Sequence, residues 1–239
     1  MESRNHTWNA DDYAKNSSAQ LGWAEELLAK LALKGNESVL DIGCGDGKIT
    51  ARIAQRVKDG YVFGIDSSAN MIQHACKQFP ITEYPNLFFR HMDATQIHLL
   101  EKFDLAFSNA TLHWVKEQNA VLSGVHRCVR SGGKLLFQMG GQGNAAEIFT
   151  TLQGIIDHPR WQRYFQAFKP PYHFYGPEEY KRWLVQNGFR PVRVELLLKD
   201  MQHKGAEGVK GWLRTTWFPY TDCLPVELRE IFLEEIVER

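Results

Sequence analysis

Three glycines at alternate positions, Gly43, Gly45 and Gly47, separate the apolar run Val39-Leu40-Asp41-Ile42 from the start of a helical pattern. A loop stripped of side chains above a helix N-terminus lets the backbone approach a ligand closely. Two carboxylates occupy matching places further on: Asp66 closes "YVFGID" and Asp93 closes "RHMD". Ligands of open α/β sheets bind beyond the carboxyl ends of the strands, and each of these groups sits at such an end. An acid at the tip of the neighbouring strand can accept both hydroxyls of a ribose. One on the next strand can accept the exocyclic amine of adenine while the backbone N–H of Ala94 meets a ring nitrogen.

The glycine spacing is G-x-G-x-G, not the G-x-G-x-x-G of dinucleotide sites, and Lys48 stands where the third glycine would be. Asp46 lies at the start of the helix, where a phosphate would want bare N–H groups, and is better suited as an N-cap. NAD is therefore disfavoured. A loop without phosphate preference, a ribose acid and an adenine acid together describe an adenosine ligand without phosphates, and S-adenosylmethionine (SAM) fits. A lone glycine triplet is often only a tight turn, and single acids at strand ends are often caps; their order on successive strands carries the reading.

The elements that must position these groups follow from periodicity. Predicted strands are 38–43, 61–66, 87–92, 103–109 and 133–139, with helices at about 47–58, 68–78 and 117–130 between them. Near-continuous apolar strands alternating with helices predict a doubly wound, mostly parallel α/β sheet covered on both faces. Leu21, Ala24, Leu27, Leu28 and Leu31 form a helical stripe ahead of it, with Ser17 or Ser18 as N-cap. After "KLLFQMGGQGN" the alternation stops for one or two aromatic-rich helices within 145–170. It resumes with a helix that has Pro177 in its first turn and Gly188 past its end, followed by a long strand in "FRPVRVELLLKDM". The final helix starts near Pro225. The chain thus reads as an N-terminal helical arm or cover (1–35), a ligand-binding core (36–140), a helical lid inserted after the fifth strand (141–176), a continuation of the core (177–203) and a C-terminal helical segment (204–239).

Composition bounds the partners. The 239 residues are 44% hydrophobic, enough for a proper core, and 28 basic residues balance 28 acidic ones. No basic excess points to nucleic acid. The polar start lacks a signal-peptide h-region, and no apolar run approaches the ~18 residues of a membrane span. Cys44, Cys76, Cys128 and Cys223 contain no CxxC pair, so no metal site is expected and the thiols read as reduced in a cytoplasmic protein.

Asp41-x-Gly43-x-Gly45-x-Gly47, Asp66-Ser67-Ser68 and Asp93-Ala94 resemble the signature of class I SAM-dependent methyltransferases, well over about 36–140 and loosely over 177–203. Within that superfamily "TWNADDY" (7–13), "GIDSSANMI" (64–72), "SNATLHWV" (108–115) and "FQM" (137–139) resemble the trans-aconitate methyltransferases, and "LHWV" also looks like the juvenile hormone acid methyltransferases. Both groups methylate carboxylates. The resemblance implies SAM as cofactor, with S-adenosylhomocysteine as product. It implies a cofactor site of Asp41, Gly43, Cys44, Gly45, Gly47, Asp66, Ser67, Met71, Asp93, Ala94, Asn109 and Ala110, under an arm carrying Trp8 and Tyr13. The acceptor side would draw on Trp114, Gln138, Tyr172, His173, Arg214, Trp217 and Tyr220. Each of the aromatic tips alone reads as packing; as a set they suggest an apolar or mixed acceptor.

The implied reaction is an in-line displacement at the sulfonium methyl, for which the protein aligns and encloses the reactants. A carboxylate is already ionised at neutral pH and needs no general base; a hydroxyl or amine more often does. Asn109 and His113 are the candidate catalytic residues. His113 either donates a hydrogen bond to the substrate anion or removes a proton, or it packs at a helix start. Trp114 packs as core, or walls the pocket and faces the sulfonium. The amino-methylating relatives carry an Asn/Asp-Pro-Pro-aromatic turn where this chain has Ser108-Asn109-Ala110-Thr111, and its "PPY" (170–172) lies in the inserted segment; this argues against nucleic-acid bases.

Two departures qualify the resemblance. Phe218, not arginine, precedes Pro219, with Arg214 one helical turn earlier, which leaves an acid less charged than trans-aconitate equally open. The seventh, antiparallel strand of the family is not found after 203, and the chain is expected to be truncated. The leading expectation is O-methylation of a small-molecule carboxylate by a monomer, or at most a weak homodimer. The rivals are methylation of a hydroxyl or amine with His113 as base, and a SAM-binding protein without turnover.

Overall fold

The computed structural model describes residues 18–239, with side chains from Gly22 onward. Ser17, Trp8 and Tyr13 lie outside the described residues. Five strands form one fully parallel sheet in the order β3-β2-β1-β4-β5: β1 Ser38–Ile42, β2 Tyr61–Asp66, β3 Leu87–His91, β4 Phe103–Asn109 and β5 Val129–Gln138. Helices α1 Ser18–Ala29, α2 Lys48–Arg56, α3 Ala69–Gln78 and α4 Gln118–Cys128 accompany them. The expected doubly wound parallel sheet is borne out. β5 begins four residues earlier than the apolar run alone indicated, because its first residues pair with β4 from Val129 opposite Phe103.

Side-chain alternation explains the two layers. Leu40, Ile42, Phe63, Ile65 and Ala106 face one core, shared with Val121 and Val125 of α4. Val39, Val62, Leu105 and Phe107 face the other, shared with Leu27 and Leu28 of α1 and Ile53 and Ala54 of α2. All five residues of β1 are buried, as a central strand covered on both faces requires. Strand order reverses at β1, with β2 on one side and β4 on the other, so the carboxyl ends of these two strands diverge around the glycine loop.

The expected strand after Gly188 is not formed. Helix α7 (Pro177–Gln186) ends as the sequence indicates, but residues 189–203 enter no ladder. Val192 is 88% and Leu198 99% exposed. A strand is stable only when its backbone groups are paired, and the described sheet ends at β5, so apolar side chains alone do not make this segment a strand. Among the described residues no seventh strand follows.

The chain divides into two compact units, the sheet unit of 18–142 with 173–197, and a helical unit of 143–172 with 198–239. The helical unit contains α5 (Ala146–Ile156), α6 (Pro159–Phe165), α8 (Gly205–Thr216), α9 (Phe218–Thr221) and α10 (Val226–Glu238). Its own core includes Leu152, Trp161, Phe165, Leu213, Trp217 and Phe232. The Trp161 indole N–H donates to Glu235 at 2.8 Å, and Lys210 on α8 reaches Glu230 and Glu234 on α10, each at 3.3 Å. Among the described residues no helix is long and apolar enough to cross a membrane.

Within the sheet unit β2 admits no side chain at Gly64: a Cβ there would stand 2.9 Å from both Cys44 Cβ and the Phe89 ring. We expect Gly64→Val to lower stability by about 1–3 kcal/mol, the usual cost of overpacking, read as a fall of several degrees in the thermal midpoint.

Candidate active site

The glycine loop is held from both sides. The N–H groups of Gly43 and Cys44 donate to the Ile65 carbonyl at the end of β2, at 2.8 and 3.0 Å. On the β4 side, the Ser108 hydroxyl donates to the Ile42 carbonyl at 2.8 Å and the Thr111 hydroxyl to the Gly43 carbonyl at 3.1 Å. All three glycines adopt left-handed φ values, +75°, +54° and +81°. At Gly43 a Cβ would also stand 2.0 Å from the Thr111 methyl, so a side chain is excluded twice over; at Gly45 no atom of the described residues lies within 4 Å of that point. The helix cap differs from expectation: the N-cap position of α2 is Gly47, and Asp46 acts from one residue earlier by accepting from Lys48 N–H at 3.2 Å. The left-handed turn places the Asp46 carboxylate against that N–H and 3.0 Å from the Lys48 ammonium.

Asp66 ends β2, where its two carboxylate oxygens each accept one N–H, from Gly45 at 3.0 Å and Ser68 at 2.8 Å. Burial pushes its carboxyl upward, and the two N–H donors oppose that rise. Ser67 is exposed beside it; Ser68 caps α3 by accepting from the N–H of Met71, which is buried. Asp93 is exposed at the end of β3 and caps the 3₁₀ turn Ala94–Gln96, where Oδ1 accepts from both the N–H and the hydroxyl of Thr95 at 2.7 Å. Asp41 lies within β1, fully buried, with Thr50 Oγ1 donating to it at 2.7 Å. Burial pushes its carboxyl up to about 7, opposed by the Thr50 bond and helped by the nearby Asp66 charge. Cys44 is buried, and burial together with the charges of Asp66 and Asp41 drives its thiol well upward, so it stays protonated.

The ends of β4 and β5 carry the second group. Gln138 Nε2 donates to Asn109 Oδ1 at 3.1 Å, and its carbonyl accepts from Ala110 N–H at 2.8 Å. Ala110 is left-handed at φ +55°, a conformation costing roughly 1 kcal/mol in a non-glycine residue and concentrated at functional sites. The 3₁₀ turn Leu112–Trp114 then presents His113. Its Nδ1 accepts from Gly140 N–H at 3.2 Å, which assigns the proton of the neutral ring to Nε2. The rings of Trp114 and Phe174 lie near it, tilted, with centroids 5.9 and 5.6 Å away. Burial lowers its pKa to about 4, so the imidazole is neutral at physiological pH. The His173 N–H donates to the His113 carbonyl at 2.7 Å, and burial lowers the pKa of His173 as well.

The structure therefore brings Asp41, Gly43, Cys44, Gly45, Gly47, Asp66 and Ser67 together at one end of the sheet. Asn109, Ala110, His113, Trp114, Gln138 and His173 form a second group at the ends of β4 and β5. Tyr172, Arg214, Trp217 and Tyr220 belong to the helical unit. Tyr172 OH donates to the Thr216 carbonyl at 2.8 Å, while Trp217 and Tyr220 are 3% and 2% exposed in that unit's core. Sequence reasoning passed over Ser108, Thr111, Gly140 and Phe174. The two hydroxyls could have been noticed, since they flank Asn109 at a strand end; the other two act across distances no local pattern encodes.

With the geometry established, comparison with known proteins adds the following. A family described as a methyltransferase domain matches residues 39–133. The uncharacterized methyltransferase C70.08c of Schizosaccharomyces pombe is 30% identical over 218 residues, 87% of this chain and 79% of that protein. The trans-aconitate 2-methyltransferase of Agrobacterium fabrum is 28% identical over 240 residues, 97% of this chain and 89% of that protein. The solved phosphoethanolamine N-methyltransferase 2 of Haemonchus contortus, in complex with S-adenosyl-L-methionine, shares the fold with a TM-score of 0.62 at 17% identity, over 96% of this chain and 52% of that one.

The buried carboxyl of Asp41 gives a signed expectation. Its folded pKa of about 7 lies above the ordinary 3.8, so ionisation opposes folding, and stability falls as pH rises from about 4 through about 7. Asp41→Asn removes that liability. Thermal denaturation without ligand should show the variant gaining on the native protein between pH 5 and pH 8, by an amount on the order of 1–4 kcal/mol; a difference independent of pH would contradict the assignment.

Proposed function

The chain belongs to the class I SAM-dependent methyltransferases, and we propose that its acceptor is the carboxylate of a small molecule, which it converts to a methyl ester. S-adenosylmethionine, when bound, supplies a methyl group activated by the sulfonium, which a carboxylate oxygen takes while the methyl–sulfur bond electrons return to sulfur and leave S-adenosylhomocysteine. The residues at the glycine loop suit this cofactor. Among the described residues nothing fills the side of Gly45 where a Cβ would stand. The two Asp66 oxygens each carry a single N–H bond and retain lone pairs for ribose hydroxyls, and Asp93 holds both of its bonds on one oxygen. Asp46 at the helix start disfavours a phosphate there. Asn109 and Ala110 are assigned to the path of the methionine moiety.

The observation that carries the carboxylate reading is the hydrogen bond from Gly140 N–H to His113 Nδ1. It occupies the basic nitrogen and leaves Nε2–H as a donor. A carboxylate, ionised at neutral pH, needs such a donor and no base. A hydroxyl or amine would need a proton acceptor, and this ring has its acceptor nitrogen engaged and its basicity suppressed. The flanking rings of Trp114 and Phe174 favour an acceptor with an apolar or unsaturated body next to the carboxylate. Relatives named for trans-aconitate support a carboxylic acid as the class. Cysteines spaced far apart in the sequence, with no CxxC pair, support a cytoplasmic location.

Transfer of label from methyl-labelled SAM to a panel of mono- and polycarboxylic acids should give a product that releases volatile methanol in mild base; base-stable label on a hydroxyl or amine acceptor would reject the reading. The rate should be flat from about pH 6 to 8 and fall only toward the pKa values near 4 of His113 and of the acid. His113→Phe should lower kcat/KM by about 10- to 100-fold, as loss of a charge-assisted bond to an anion does, while His113→Asn, which keeps a donor, should lose less.

A further inference from the structure

The turn that presents His113 is three residues long, too short to fix a side chain by itself. Its fixation comes from two residues elsewhere in the chain. Gln118, 2% exposed, donates through both N–H bonds of one amide, to the Leu112 carbonyl at 2.7 Å and the Val115 carbonyl at 2.6 Å. These carbonyls bracket His113 and Trp114. The amide oxygen of Gln118 in turn accepts from Tyr180 OH at 2.6 Å. Tyr180 is buried in α7, whose start is set by Pro177 and by Glu179 accepting from Gly176 N–H at 2.9 Å.

This arrangement is directional. A glutamine amide can turn over, exchanging its oxygen and nitrogen. Turned over, Gln118 would aim its oxygen at two carbonyl oxygens and its NH₂ at a hydroxyl. The Leu112 and Val115 carbonyls, which can only accept, therefore select the orientation in which the amide bonds both ends of the turn, and the Tyr180 hydroxyl, donating to the amide oxygen, holds the amide there. The segment ahead of α7 completes the fixation: His173 N–H donates to the His113 carbonyl at 2.7 Å, Phe174 covers the imidazole, and Tyr175 OH donates to the Lys116 carbonyl at 3.0 Å.

We propose that Tyr180 and Gln118 are positioning residues of the methyl transfer, a two-residue relay that sets where His113 Nε2–H points. The inference rests on the role given to His113 above. Neither residue touches the cofactor loop in the bonds described, so their effect should fall on turnover and not on SAM affinity.

The test is Tyr180→Phe, which removes one hydroxyl and keeps the ring. We expect kcat with a carboxylic acid acceptor to fall by roughly 10- to 100-fold, the penalty of a misplaced reacting group, with the Kd for SAM changed less than twofold. Nitrogen NMR of the imidazoles, with the His113 signal assigned by its loss in His113→Asn, should show the His113 titration midpoint rise by a unit or more from near 4 as the loosened turn admits water. A second variant, Gln118→Leu with Tyr180→Phe, replaces the buried polar pair with apolar groups. It removes the pair at both ends and should recover neither kcat nor the low titration midpoint. Native kcat and native His113 titration in either variant would overturn the proposal, as would recovery of both in the double variant. If the titration shifts as expected while no acid is methylated by the native protein, the relay stands and the carboxylate reading fails; if acids are methylated and neither variant alters the transfer or the titration, the relay alone fails.

Discussion

The site depends on the absence of a side chain at Gly43. At that residue the backbone accepts a hydroxyl from the β4 loop on one side and donates to the end of β2 on the other, and a Cβ would coincide with Thr111. The contact exists because β1 lies between β2 and β4, so the chain leaving β1 must rise between two diverging neighbours. Everything at the carboxyl edge is referenced to this point. The Gly45 N–H reaches Asp66 because Gly43 and Cys44 are pinned to Ile65; Asn109 and Ala110 are placed because Ser108 and Thr111 are pinned to Ile42 and Gly43. The Asp66 side and the Asn109 side of the carboxyl edge are thus registered to each other through one glycine.

The electrostatics of the sheet unit follow from the same crowding. Two acids, buried Asp41 and half-buried Asp66, lie close enough for the Asp66 charge to affect Asp41; Asp41 accepts from Thr50, and Asp66 from the N–H groups of Gly45 and Ser68. Such a region disfavours further negative charge, which accords with a cofactor that carries a sulfonium and no phosphate. His113, by contrast, is kept neutral by burial, with its Nδ1 accepting from the Gly140 N–H. The two groups at the carboxyl edge thus have opposite electrostatics: acids close together beside the glycine loop, and a neutral imidazole beyond β4.

The helical unit shows aromatic residues packed against one another. Tyr172, Trp217 and Tyr220 look in sequence like tips of a pocket, yet Phe149, Phe168 and Trp212 meet their rings, with Phe168 and Tyr220 centroids 4.6 Å apart. A small helical unit has few ways to bury enough surface, and large rings supply most of it. Trp114 and Phe174 in the sheet unit flank an imidazole instead. The residue type is the same in both settings; what differs is whether the ring's neighbours are other apolar groups or a polar group held for use.

The sequence by itself determined the parallel sheet, the glycine loop and the succession of acids at strand ends, because each is a local pattern: side-chain alternation sets which residues face each layer, and only glycine occupies the left-handed positions of the loop without strain. Tertiary structure decided three things. Residues 189–203 have strand-like composition but no paired neighbour in the described sheet, and pairing is a property of two segments. The tautomer of His113 is set by an N–H 27 residues away, at Gly140, and the amide of Gln118 that bonds the carbonyls on either side of it accepts from a tyrosine in a helix far along the chain. The cap of α2 passed from Asp46 to Gly47 because the left-handed turn at the glycine, not the residue preference for a carboxylate, fixed where the helix begins. In each case the deciding term is a hydrogen bond or a contact between segments distant in sequence, and no local periodicity carries that information.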